Sequence, residues 1–171
     1  MAQTTAANRG STAFVQAAFR ATAGSVPTCP VPELLDQTAA LSPQAPAVEF
    51  LGQRISYGRL AQLVSRAARG LQNLGVRPGD RVGLCLPNTV YFPIFYFAAL
   101  KLGAVIVNYN PLYVEKELAF QIRDSGTTVM VTCDLTMVFE KLAMVRPKPA
   151  NAKVPTVARI RSVSRLTLSG M

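Results

Sequence analysis

Residues 81–110 read RVGLCLPNTVYFPIFYFAALKLGAVIVNYN, and the fold class of the chain turns on this stretch. Its first six residues, Arg81 to Leu86, are a short apolar run with turn residues on both sides, Pro78-Gly79-Asp80 before it and Pro87-Asn88 after it. A strand covered on both faces has this pattern, because neither face needs polar side chains. Asn88 is placed to cap a helix running to Leu102. Pro93 sits about one turn inside that helix, where a missing N–H costs one backbone bond and bends the axis. Gly103 ends the helix, and Ala104 to Asn108 (AVIVN) is the next strand. Strand, helix, strand at short spacing requires a crossover, and crossovers make parallel sheets.

The alternation continues on both sides. After a loop at Tyr109 to Leu112, Glu115 to Arg123 reads as a helix stopped at Asp124-Ser125-Gly126. Thr127 to Thr132 (TTVMVT) is a third strand, and Leu135 to Met144 an amphipathic helix. Upstream, Leu60, Leu63, Val64, Ala67, Leu71 and Leu74 form one apolar stripe at spacings of three and four, predicting a helix over Tyr57 to Asn73 with Ser56 as N-cap and Gly75 as its left-handed stop. Ala47 to Phe50 and Arg54 to Ser56 flank a Leu51-Gly52-Gln53 turn and predict a hairpin. Val31 to Ala40 predicts a short helix with Leu34 and Leu35 inward, ended by Pro43 and Pro46. The expected fold is α/β: a partial three-layer parallel sheet with flanking helices, a small N-terminal hairpin and disordered ends. Its expected parts are a disordered leader over residues 1–30, an α/β body over 31–145 and a basic tail over 146–171.

Composition narrows the chemistry. The 171 residues include 18 Lys and Arg, 9 Asp and Glu, three Cys and no His, so an imidazole base is ruled out, as are zinc sites built on His. Cys29, Cys85 and Cys133 are too few for a four-thiolate zinc site and have no C-x-x-C spacing; they read as thiols in a reducing compartment, which implies the cytoplasm. The longest greasy stretch, Tyr91 to Leu100, is too short to span a bilayer. Met1 to Cys29 has Arg9, Arg20 and no acid, as transit peptides do, but no marked cleavage site. The net charge of +9 is concentrated in the tail, where Arg146, Lys148, Lys153, Arg159, Arg161 and Arg165 stand without an acid. The tail has no aromatic residue to stack on a base, so no specific nucleic acid is expected and at most a weak peripheral membrane contact.

Few reactive constellations survive inspection. There is no G-x-x-x-x-G-K-[ST] loop, no G-x-G-x-x-G between strand and helix, and no G-x-S-x-G elbow. Gly79 reads as a turn glycine and Gly83 as a close-packed strand glycine. Glu115 and Glu117 lie on different helix faces and cannot share a proton. Cys85 reads as a small hydrophobe inside a strand, and Asp80, Asp124 and Asp134 as turn or capping residues.

A further pattern runs in order along the chain: Ala45-Pro46-Ala47-Val48, Ile55-Ser56-Tyr57-Gly58-Arg59-Leu60, Gly75-Val76-Arg77-Pro78-Gly79-Asp80-Arg81-Val82, Leu86-Pro87-Asn88, Leu100-Lys101-Leu102-Gly103-Ala104 and Val107-Asn108-Tyr109-Asn110-Pro111-Leu112-Tyr113. On these, Val31 to Met144 resembles the N-terminal part of the AMP-forming acyl-CoA synthetases of the adenylate-forming superfamily. Asn108 to Tyr113 with Arg123-Asp124-Ser125-Gly126 is most similar to the long-chain fatty-acid–CoA ligases. The resemblance implies the first sub-layer of the large domain, in relatives that use ATP, Mg and CoA to make acyl-CoA. It carries no catalytic, cofactor-binding or metal residue onto this chain, because the family's phosphate loop, Tyr-Gly-x-Thr-Glu segment, ribose-binding Asp and lid Lys have no counterpart here. Arg59 departs from the family's usual Glu, which would complete a capping box with Ser56. The expected function is a truncated N-terminal piece of such a ligase, inactive alone, with a non-family tail from Arg146. The alternative is a stand-alone interaction module or half of a split synthetase. Expected partners are the missing remainder of a synthetase or a second copy of the chain.

Overall fold

Three of the predicted strands lie side by side in one parallel sheet, and a fourth joins them from the basic tail. The computed structural model describes residues 29–133, Glu140, Leu142 and residues 156–160. The leader expected over residues 1–30 and the helix expected over Leu135 to Met144 lie almost wholly outside them; of the latter, Glu140 and Leu142 are helical. From Val31 the chain forms one unit.

Helix α1 (Val31–Leu41) leads into a hairpin of β1 (Pro46–Phe50) and β2 (Gln53–Ser56), antiparallel, with Glu49 opposite Arg54. Helix α2 (Tyr57–Asn73) follows directly, then β3 (Arg81–Cys85), α3 (Tyr91–Lys101), β4 (Val105–Asn108), α4 (Glu115–Ser125) and β5 (Val129–Cys133). Strand β6 (Thr156–Ile160) completes a sheet of order β4-β3-β5-β6. Pairing is parallel throughout, with Val82 beside both Ile106 and Val129, and Val129 beside Thr156.

The chain moves from β3 to β4 and then returns past β3 to β5. That reversal puts the two crossover helices on opposite faces of the sheet. The side chains divide by the strand period of two. Val82, Leu84, Val129, Val131 and Cys133 face the larger core, built with Leu35 of α1, Leu60, Val64, Ala68 and Leu71 of α2, and Ile94, Ala98 and Ala99 of α3. Cys85 and Met130 face the smaller core with Tyr109, Leu118, Ile122 and Leu142.

Several local expectations are corrected by the geometry. Asn88 does not cap α3; the N-cap is Val90, with no side-chain bond, and the helix starts at Tyr91. Pro93 therefore falls in the first turn, where the N–H has no intrahelical acceptor, so no backbone bond is lost. Leu34 is 39% exposed, and only its neighbour Leu35 is fully inside, because an 11-residue helix lying on the edge of α2 and α3 buries a narrow stripe. The basic tail, expected as a disordered end, holds a strand at Thr156–Ile160. Sheet pairing with β5 supplies the hydrogen bonds that local propensity does not. The aromatic run of α3 is tucked in: Tyr91, Phe92, Phe95 and Phe97 are half-buried against the larger core.

Candidate functional site

Open parallel sheets offer a ligand crevice at the carboxyl ends of the strands where the connections diverge. Here that point lies between β3 and β5. It is lined by the loop after β3, Leu86 to Val90, with the loop after β4, Tyr109 to Val114, beside it. Asp134, the residue that follows β5 in the sequence, lies outside the described residues. The first loop is held by backbone bonds, Thr89 N–H to the Pro87 carbonyl at 2.8 Å and Phe92 N–H to the Thr89 carbonyl at 3.1 Å. The second turns on Asn110, whose side-chain oxygen accepts from Leu112 N–H at 3.0 Å while its carbonyl accepts from Tyr113 N–H at 3.1 Å.

The second loop is anchored by Tyr109, which is 3% exposed. Its ring crosses the sheet over Gly83, where a built Cβ would stand 2.7 Å from the ring and 2.9 Å from the Met130 thioether. Its hydroxyl reaches Ser125 Oγ at 2.8 Å and Thr127 Oγ1 at 2.6 Å, and those two oxygens are 2.9 Å apart. The result is a closed triangle of three hydroxyls beneath the sheet. Gly83 is thus the close-packed strand glycine expected of it, and the residue that packs there is one that sequence reasoning missed. No pattern joins Tyr109 to Ser125 and Thr127, since the β4 to α4 crossover alone brings them together.

Two of the acidic residues are occupied in local structure. Asp80 accepts from Arg77 N–H at 2.8 Å and closes the turn that Gly79 permits at φ +84°. Glu117 accepts from Val114 N–H at 3.0 Å and closes the start of α4, where Val114 has no side-chain acceptor to return the bond. Cys85 is wholly buried on one sheet face and Cys133 on the other, and neither is in a disulfide. Among the described residues no group of three His, Cys, Asp or Glu side chains could hold a metal ion. No described helix is long and apolar enough to cross a membrane.

This fold with this edge defines a class. Residues 35–169 match the family model of the AMP-binding enzymes, and the chain belongs to that family. The match runs past Arg146, as β6 does, so both extend beyond the boundary drawn there in the sequence. The Bacillus subtilis long-chain-fatty-acid–CoA ligase is 34% identical over 110 residues, 64% of this chain and 20% of that enzyme. The Mycobacterium tuberculosis fatty acyl CoA synthetase superposes with a TM-score of 0.66 at 30% identity, over 77% of this chain and 26% of that one. The N-terminal domain of FACL13 from the same organism superposes with a TM-score of 0.67 at 31% identity, over 79% and 34%. The chain therefore resembles the N-terminal region of its relatives and spans about a fifth of the length of the curated ligases it matches.

At the starts of α2 and α4 one backbone N–H each is met by a side chain, Arg59 N–H by the Ser56 hydroxyl and Val114 N–H by the Glu117 carboxylate, while α3 starts without a side-chain cap.

Proposed function

We propose that this chain is the N-terminal α/β layer of a long-chain fatty-acid–CoA ligase, supporting acyl activation and carrying out no adenylation alone. The observation that carries this reading is the pairing of a family match over residues 35–169 with acidic side chains engaged in turns and caps. Tyr109 and Asn110 would serve that role by setting the loop at the carboxyl edge of the sheet. The reading places the chain in the cytoplasm, supported by three cysteines without a disulfide. Its natural complement is the rest of an adenylate-forming domain.

The test is fatty-acid-dependent exchange of pyrophosphate into ATP by the purified, folded chain. Exchange equal to a buffer blank is expected, because the sequence holds neither the family's phosphate loop nor its lid Lys. Exchange above the blank that disappears when the protein is unfolded would overturn the reading.

A further inference from the structure

We propose that the outer face of α4 is a self-complementary surface on which a second copy of this chain docks, helix against antiparallel helix, with Phe120 at the two-fold axis. The inference goes beyond the ligase reading and does not depend on it. Helix α4 buries Leu118 and Ile122 beneath it, yet turns Phe120 outward at 64% exposed. The residues three and four places away share its face, namely Lys116, Glu117, Arg123 and Asp124, all exposed. In an antiparallel pair centred on Phe120, a residue a given number of places before it meets the residue the same number of places after it on the other copy. Lys116 then faces Asp124, and Glu117 faces Arg123. Both pairs are opposite in sign, and the symmetry makes each occur twice.

Three further observations agree. Within the chain, neither Lys116, Arg123 nor Asp124 enters an ion pair among the described residues, whose ion pairs are Arg54 with Glu49 and Lys101 with Asp36. A depression of about 460 Å³ lies beside Phe120, walled by Tyr113, Lys116, Glu117 and Gln121, giving room for the aromatic ring of the second copy. Tyr113 and Val114, at the start of the same helix, are 39% and 58% exposed and extend the apolar area.

Size sets the strength. Eleven residues make a helix roughly 16 Å long, and one such pair buries less than the ~1,200 Å² of a stable interface. The dimer is therefore weak, concentration-dependent and sensitive to salt.

The test is sedimentation equilibrium of the full chain over a wide concentration range, at low and high salt. A monomer–dimer equilibrium weakened by salt is expected. Phe120→Asp should weaken it by at least about tenfold, and Lys116→Asp by about tenfold through facing Asp124 with a like charge. The double variant Lys116→Asp, Asp124→Lys should return to within about threefold of the original. Each reversal also suits the helix dipole, an acid in the first turn and a base in the last, so loss of the dimer in the single variant does not report loss of the fold. A chain that stays monomeric at every concentration, leaving the face to another occupant such as the rest of a ligase, would overturn the proposal. So would association indifferent to Phe120→Asp, or a double variant no better than the single one.

Discussion

Gly83 shows how one missing atom can set a loop. A Cβ there would meet the Tyr109 ring at 2.7 Å and the Met130 methyl at 2.9 Å. The thioether end can swing aside, but the ring is held at its far end by Ser125 and Thr127. Gly83→Ala is therefore expected to destabilise by about 1–3 kcal/mol, the usual cost of forcing volume into a packed core, read as a lower urea midpoint at unchanged slope. Tyr109→Phe keeps the ring and removes only the hydroxyl. Ser125 and Thr127 still bond each other, so about 1 kcal/mol is the expected loss. A loss for Tyr109→Phe as large as that for Gly83→Ala would show that the hydroxyl triangle, not ring packing, holds the loop.

At the level of the element, α2 begins under an unusual charge. Ser56 has extended backbone and its hydroxyl accepts from Arg59 N–H at 3.3 Å, which meets one of the first-turn donors. The Arg59 guanidinium turns away to Gln62 at 3.4 Å, leaving the first turn without an acid. Ser56→Ala should cost about 1 kcal/mol. Arg59→Glu should raise stability by a few tenths of a kcal/mol up to about 1 kcal/mol, because Glu restores the reciprocal bond to the Ser56 N–H and suits the positive helix start. Both are measured by thermal or urea unfolding. A destabilising Arg59→Glu would mean that the Gln62 contact outweighs the cap.

For the molecule as a whole, the sheet centre is the last part to open. Strands β3 and β5 have a paired strand on each side, while among the described residues β4 pairs with β3 alone. Cys85 and Cys133 are at most 1% exposed at that centre, and Cys29 is only partly covered. A thiol reagent should modify Cys29 at once, and the other two only at the rate of global unfolding. Fast modification of Cys133 would mean that β6 separates from β5 locally. In either case β4, half-exposed at Val105, should exchange its amides before β3 does.

Residue pattern alone was enough for the parts whose physics is local. The stripe of α2 matched its helix over Tyr57–Asn73, Ser56 capped it, and Gly75, Gly103 and Gly126 took positive φ at helix ends where a side chain would be strained. The apolar runs at residues 81, 104 and 127 became parallel strands within two residues of their expected limits, because strands buried on both faces need no polar alternation. Strand order, the division into two cores, the hydroxyl triangle and the seat of Tyr109 over Gly83 depended on contacts between distant residues, which no local pattern encodes. Strand β6 belonged to both: Thr156, Val157 and Ile160 are β-branched and favour extension, but its place in the sheet depends on the ladder that β5 offers.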